Sequence, residues 1–400
     1  MKNIAIIGFG VVGSGVYEII RKNKEVLSRR VNGGIDVKKI LDIRDFSSHE
    51  ESFLFTKDFN DILNDDEIDI VVETMGGVKF AYEYTKAALE HKKSVVTSNK
   101  ELVAKHGDEF FRIAKQNNVR YLYEASVGGG IPIIRPLACD IAANEVTHVA
   151  GILNGTTNYI LTKMFKENDS FENALKNAQE LGYAEKDPTA DIDGIDACRK
   201  ISILMSLVTG RKLDCNAIYT KGIRNLTAED VTYAAALGCT IKLIGFGFVK
   251  NGKTNASVEP MLIPKDCQLS SVEDVFNAVM VKGNMVDTLM FYGRGAGKLP
   301  TASAVVADVI DASLDGDYND KYSWTEGDEA EQMPYKDVRA RFFVRIKKEQ
   351  CEAAYAEFGN VDIIKGVSDY GFVAPKMSAG EFDLHIEKIG GAVSKMRMFR

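Results

Sequence analysis

Four hundred residues exceed what one hydrophobic core usually serves, so the chain is expected to fold as two or three domains. Its 45% hydrophobic and 27% charged residues are ordinary globular composition and exclude extensive disorder. A net charge of -7 with no basic block removes the electrostatic case for nucleic-acid or anionic-membrane binding, and six cysteines without a C-x-x-C pair fit free thiols rather than a disulfide framework or zinc site. No cleavable leader precedes the first apolar run, Ile4–Ile7, and that run is too short to span a membrane, so a cytoplasmic location is expected.

That run reads as a short buried strand, followed by the turn Gly8-Phe9-Gly10-Val11-Val12-Gly13 and a helix with apolar positions Val16, Ile19 and Ile20. Further strands are expected at Val37–Ile43, Ile68–Val72 and Ser94–Thr97. Helices are expected near Phe59–Leu63, Phe80–Glu90 and Glu101–Asn117. This alternation predicts an α/β chain that begins with a Rossmann-type, doubly wound parallel sheet over residues 1–130.

Residues 131–315 mix glycine-rich loops, helices such as Phe171–Leu181 and Asp193–Thr209, and strands such as Lys242–Val249 and Ala256–Leu262. They read as an antiparallel α+β domain built onto the first. An acidic, polar linker is expected over 316–336. From 337 to 400 the order is strand Phe342–Ile346, helix Glu349–Phe358, strands Val361–Val367 and Tyr370–Ala374, helix Ala379–Gly390 and strand Val393–Phe399. That βαββαβ order predicts a small ferredoxin-like C-terminal domain.

Gly8, Gly10 and Gly13 stand between strand and helix at dinucleotide-fingerprint spacing. One glycine permits the tight turn, the next admits the pyrophosphate, and the third lets helix and strand pack closely. The helix N-terminus then offers unpaired N–H groups to phosphate. At the end of the second strand, Asp42 suits the ribose hydroxyls of NAD while Arg44 suits the extra phosphate of NADP. Arg44 is equally readable as a surface charge paired to Asp45.

Hydride transfer between an alcohol and a carbonyl requires a proton to move at the oxygen. None of the five histidines sits in a polar constellation, so lysines are the better candidates. Lys100 follows a strand's carboxyl end in Thr97-Ser98-Asn99-Lys100. Lys200 lies one helical turn after Asp196, a spacing shared with ordinary surface pairs. Upstream, Gly182 through Gly194 carries carboxylates at 185, 187, 191 and 193, suited to an ammonium group or to capping and turn roles.

Five segments, in order, closely resemble the homoserine dehydrogenase family: Thr97–Lys100, Glu124–Pro132, Leu153–Tyr159, Leu181 through Lys200, and Gly293–Gly297 through Asp308. The resemblance runs from residue 1 to about 310. It implies NAD(P)-dependent interconversion of L-homoserine and L-aspartate 4-semialdehyde, with Lys200 as acid/base and Lys100 as a second active-site lysine beside the cofactor. Gly182, Glu185, Asp191 and Asp196 then line the substrate pocket. Gly8, Phe9, Gly10, Val11, Val12, Gly13, Arg44, Thr74, Lys100 and Gly297 contact the cofactor. Glu124, Val127, Gly129 and Ile131 hold a monovalent cation, sodium being expected, through a carboxylate or backbone carbonyls. The resemblance also implies a return segment of the dinucleotide-binding domain at about 300–320, a substrate-binding, catalytic and dimerisation domain over 131–315, and a homodimer or higher homo-oligomer.

Two departures qualify the resemblance. Phe46-Ser47-Ser48-His49-Glu50-Glu51 follows Arg44 where NADP-preferring members carry further basic residues, which implies use of both cofactors. The C-terminal segment resembles regulatory ACT domains, but Lys347-Lys348-Glu349-Gln350-Cys351 replaces their ligand turn. The rival expectation is a non-catalytic sensor of dinucleotide and amino acid, which would not need the two lysines.

Overall fold

The first strand, β1 (Lys2–Ile7), is wholly buried from Ile4 to Ile7, as a strand covered on both faces must be. In the computed structural model, which describes residues 1–314 and 320–399, it lies inside a six-stranded parallel sheet. The elements that follow are α1 (Val11–Lys22), α2 (Lys24–Arg30), β2 (Ile35–Leu41), β3 (Phe55–Thr56) and α3 (Asn60–Leu63). Then come β4 (Ile70–Glu73), α4 (Lys79–Glu90), β5 (Ser94–Thr97), α5 (Lys100–Asn117) and β6 (Tyr121–Leu122). The strand order β3-β2-β1-β4-β5-β6 is that of a Rossmann sheet, whose direction of winding reverses between β1 and β4.

The chain divides into two compact units. The first comprises Met1–Glu145, Ser202–Asp214 and Phe291–Gly327. Its late segment brings α11 (Lys298–Ser313) back against α1. A Cβ on Gly15 would stand 2.9 Å from the Ala302 Cβ, so these helices approach as closely as glycine allows. The expected linker over 316–336 starts on residues 315–319, which lie outside the described residues. Beyond them Tyr322 and Trp324 are buried, the Trp324 ring edge-on to Phe111 at 4.8 Å and to Tyr123 at 5.4 Å. Two large aromatics within an acidic stretch find a core here, which average composition does not reveal.

The second unit comprises Val146–Ile201, Cys215–Met290 and Asp328–Arg400. It contains β7 (Val146–Ile152), α6 (Gly155–Lys166), α7 (Phe171–Glu180), α8 (Thr189–Ile192) and the start of α9 (Ile195–Thr209). Next are β8 (Tyr219–Thr220), α10 (Ala228–Ala236), the twelve-residue strands β9 (Cys239–Lys250) and β10 (Lys253–Pro264), β11 (Phe276–Gly283) and the start of β12 (Asp287–Arg294). The C-terminal part holds β13 (Arg339–Ala340), β14 (Phe342–Ile346), α12 (Cys351–Phe358), β15 (Ile364–Lys365), β16 (Tyr370–Val373), β17 (Met377–Ser378), α13 (Ala379–Lys388) and β18 (Ser394–Met398).

The sheet order β18-β14-β16-β15, with antiparallel neighbours, is the ferredoxin-like arrangement. It does not stand alone. β18 also runs parallel beside β10, pairing Met261 with Arg397 and Leu262 with Met398. One sheet therefore continues as β12-β11-β7-β9-β10-β18-β14-β16-β15. A second tie is electrostatic. Buried Arg345 on β14 donates to Asp230 at 2.8 Å and to Thr227 at 2.9 Å around α10, and its Nε donates to Asp369 at 3.0 Å. The Tyr233 hydroxyl donates to Asp369 at 2.8 Å and closes the network.

Candidate active site

The glycine turn is held from three sides. Gly8 N–H donates to the Leu41 carbonyl at 2.8 Å, Thr74 Oγ1 donates to the Gly8 carbonyl at 2.7 Å, and Phe9 N–H donates to Asp42 at 2.7 Å. A Cβ on Gly13 would lie 2.0 Å from the Gly8 carbonyl oxygen, whereas one on Gly10 would meet nothing within 4 Å. So Gly13 packs the helix against the turn, and Gly10 leaves the cradle open. Val11 and Val12 start α1, whose first turn has no acidic side chain and whose Gly10 cap supplies no side-chain acceptor. The amide dipoles there favour an anion. Gly13→Ala must displace backbone, so dinucleotide affinity is expected to fall by at least about tenfold, on the order of 1.4 kcal/mol. Fluorescence titration with reduced cofactor checks this; unchanged affinity would refute the packing role.

Arg44 pairs with Asp42, not with Asp45. It donates Nε to Asp42 at 2.9 Å and Nη2 to the Phe9 carbonyl at 2.7 Å. The guanidinium holds the Asp42 carboxyl well below the usual carboxylate range. Both ribose-end candidates thus form one pair at the tip of β2, beside the turn.

The strand ends also converge on Glu73, fully buried at the end of β4. It accepts from Thr97 Oγ1 and, at 2.8 Å, from Met75 N–H. Asn99 caps α5 by accepting from Leu102 N–H at 3.1 Å, which sets Lys100 on the helix's first turn. Burial pushes the Glu73 carboxyl from 4.5 up to about 7, against the opposing pull of Thr97 and Met75. Folding therefore favours the protonated acid, and this stability, present below pH 4.5, is lost as pH rises through about 7. Glu73→Gln copies the protonated form. It is expected to match the parent at the acid end and exceed it above neutrality, by on the order of 2–3 kcal/mol. Urea midpoints measured across pH decide this; parallel curves would show that Glu73 does not titrate in this window.

In the second unit, Lys200 is buried and its orientation is fixed. Its Nζ donates to Asp196 Oδ2 at 2.7 Å and to the Leu153 carbonyl at 2.6 Å. Asn154 organises the rest. Its amide Nδ2 donates to Asp191 at 2.7 Å and to Asp196 at 3.0 Å, while its Oδ1 caps α6 by accepting from Thr157 N–H at 2.8 Å. Burial, and the Asp196 charge beside it, raise the Asp191 carboxyl. One amide thus bridges two acidic groups, and one of these, Asp196, also accepts from the lysine amine, a layout suited to an ammonium-bearing substrate with a proton-exchanging oxygen. Glu185 and Gly182 are exposed on the preceding loop, where Gly182 adopts φ +74°. Among the described residues no contact draws the Glu185 side chain into the Asn154 cluster.

In the first unit, the loop of Glu124, Val127, Gly129 and Ile131 is buried. The Glu124 carboxylate accepts from the N–H groups of Ile133 at 2.6 Å, Ile134 at 2.8 Å and Arg135 at 2.8 Å, capping the turn that precedes Pro136–Asp140. Its own N–H donates to Asp308 on α11 at 2.7 Å. The Glu124 carboxylate, one of the two expected ligand types, is therefore engaged by backbone N–H groups. Gly297, at φ +125°, caps α11.

A family model described as homoserine dehydrogenase matches residues 132–310, and one described as homoserine dehydrogenase, NAD binding domain, matches residues 8–124. The chain belongs to the homoserine dehydrogenase family. It is 39% identical to the homoserine dehydrogenase of Bacillus subtilis over 91% of this chain and 86% of that one. The crystal structure of a homoserine dehydrogenase from Thiobacillus denitrificans superposes with a TM-score of 0.90 at 34% identity, covering 99% of this chain and 98% of that one. A hyperthermophilic archaeal homoserine dehydrogenase, solved in complex with NADPH, matches with a TM-score of 0.67 at 30% identity, covering 78% of this chain and 98% of that one. The chain is thus an oxidoreductase of amino-acid biosynthesis, interconverting homoserine and aspartate 4-semialdehyde, and these relatives do not favour a non-catalytic sensor.

Sequence reasoning gave no role to Asn154 or to the Leu153 carbonyl. The available signal was an asparagine directly before Gly155-Thr156-Thr157, the pattern of a helix cap. That its other end would hold two carboxylates 37 and 42 residues away is a tertiary fact.

Proposed function

We propose that the Asn154–Asp191–Asp196–Lys200 cluster is the proton-exchanging and substrate-holding part of this homoserine dehydrogenase. The observation that carries the reading is Lys200 held between the Asp196 carboxylate and the Leu153 carbonyl. Two hydrogen bonds fix the amine where it takes the proton from the homoserine hydroxyl, or returns one to the aldehyde oxygen during reduction. Asp191, whose carboxyl is raised above its ordinary range by burial, gains a compensating charge when the substrate ammonium arrives. Glu185 and the Gly182 backbone complete the substrate pocket, and Lys100 serves as the second lysine, beside the nicotinamide.

The turn of Gly8, Phe9, Gly10, Val11, Val12 and Gly13, with Thr74 and Gly297, fits a dinucleotide. The cradle is open at Gly10 and anion-favouring at the α1 N-terminus. When bound, that cofactor supplies the hydride acceptor. The Asp42–Arg44 pair offers one carboxylate and one guanidinium without further basic residues, which favours use of both NAD and NADP. The carbonyls of Glu124, Val127, Gly129 and Ile131 would hold a monovalent cation, sodium by resemblance; neutral oxygens suit a hard, singly charged ion. The enzyme is proposed to be cytoplasmic and to assemble as a homodimer or higher homo-oligomer. Edge strand β12 exposes Met290 and Tyr292 at the end of the long sheet.

The test follows nicotinamide absorbance with homoserine and either cofactor, in sodium and in potassium buffer. Values of kcat/KM for NAD and NADP are expected within about tenfold of one another, a difference of about 1.4 kcal/mol or less. An NADP preference of about a hundredfold would overturn dual use, and no turnover with either would overturn the site assignment.

A further inference from the structure

The tip of β2 departs from the usual dinucleotide arrangement, in which an acidic side chain there accepts from a ribose hydroxyl. The Asp42 carboxylate has no acceptor position left to offer. Its Oδ2 accepts from Phe9 N–H at 2.7 Å and from Arg44 Nη2 at 2.8 Å. Its Oδ1 accepts from Arg44 N–H at 3.0 Å and from Arg44 Nε at 2.9 Å. Two carboxylate oxygens carry about four lone-pair sites, so Asp42 is saturated. Its side chain is only 8% exposed, against 56% for Arg44.

Arg44 is itself held in this seat. Its Nη2 also donates to the Phe9 carbonyl at 2.7 Å, and its guanidinium carbon stands 5.1 Å from the centre of the Phe46 ring. That ring stacks on Phe55 at 4.4 Å and meets Phe9 edge-on at 5.4 Å, so the platform is fixed as well. Arg44 Nη1 makes no hydrogen bond among the described residues. Exchanging bonds between two ions for bonds from neutral hydroxyls would lose strength and strand the guanidinium.

Resting on the dinucleotide reading of the glycine turn, we propose that Asp42 is a masked ribose acceptor. While Arg44 is seated, its remaining Nη1 alone reads the 2′ position of the adenosine, and Asp42 acts as a positioning residue for it. A 2′-hydroxyl and a 2′-phosphate both accept from that N–H. The buried carboxylate offsets the guanidinium charge, which removes much of the advantage a phosphate would otherwise hold. Cofactor choice is then set by how firmly Phe46 and Asp42 seat Arg44. Unmasking acts oppositely on the two cofactors. Without the guanidinium, Asp42 regains acceptor positions for the ribose hydroxyls of NAD and repels the 2′-phosphate of NADP.

The test titrates the whole enzyme with NAD and with NADP by calorimetry, which reads affinity without turnover. In Arg44→Met the Kd for NADP should rise about tenfold or more while the Kd for NAD falls about threefold or more. Adding Asp42→Asn to that variant should abolish the NAD gain. Phe46→Leu keeps the guanidinium and loosens its seat, so it should shift the balance of affinities toward NAD by a smaller factor. It carries the test should Arg44→Met fail to fold. An NAD affinity in Arg44→Met that tightens by less than about threefold or weakens, a gain that survives Asp42→Asn, or a Phe46→Leu balance that is unmoved or shifts toward NADP would each overturn the proposal. A parent enzyme that binds neither dinucleotide would overturn the glycine-turn reading and this proposal together.

Discussion

Lys200→Met is expected to lower kcat for homoserine oxidation by about 10³–10⁴-fold, at or near the full contribution of a positioned proton-transfer group. Methionine keeps the length and apolar stem of lysine, so burial is preserved, while the donor to Asp196 and Leu153 is lost. Cofactor affinity should stay near the parent value, because the glycine turn belongs to the other unit. The diagnostic combination is a lost kcat with a preserved dinucleotide Kd. The pH-rate limb assigned to the catalytic base should disappear with it. Residual activity within tenfold of the parent would remove Lys200 from the chemistry.

The largest stability effect is expected at Arg345. Replacing it by methionine leaves Asp230 and Asp369 buried without their shared cation, a loss on the order of 3–5 kcal/mol. The unfolding midpoint of the second unit should drop in a urea titration followed by far-UV circular dichroism. Adding Asp230→Asn and Asp369→Asn to Arg345→Met should recover most of the loss, because a neutral trio costs less to bury than two stranded carboxylates. An unchanged midpoint in the single variant would mean that water reaches the network freely.

Local signals made much of this fold legible. The Gly8–Gly13 spacing and the regular alternation after it give the parallel sheet, since both patterns depend on neighbours within about thirty residues. The order βαββαβ is likewise written in short apolar runs. Long-range pairing was hidden. Two residue pairs between β10 and β18 merge two sheets, and the expected strand Val361–Val367 shrinks to Ile364–Lys365 because Gly366 turns back to donate to the Asp369 carbonyl. Within the site, Lys200 and Asp196 are one helical turn apart, so their pairing is a local consequence. Asn154, the Leu153 carbonyl and the commitment of the Glu124 carboxylate to three backbone N–H groups depend on where loops arrive in space.

The return of α11 to the first unit bears on how this protein is made. Synthesis delivers β1 through β6 long before Lys298–Ser313, yet α11 supplies Ala302 against Gly15 and Asp308 to the Glu124 backbone. Until that helix leaves the ribosome, the nascent sheet has an uncovered apolar flank beside α1. The loop that begins at Glu124 also lacks the Asp308 anchor. Such an intermediate is a natural client for a chaperone that shields exposed apolar surface. A fragment cut at residue 145, at the end of the unit's first segment, would keep every strand of the parallel sheet and still expose that flank.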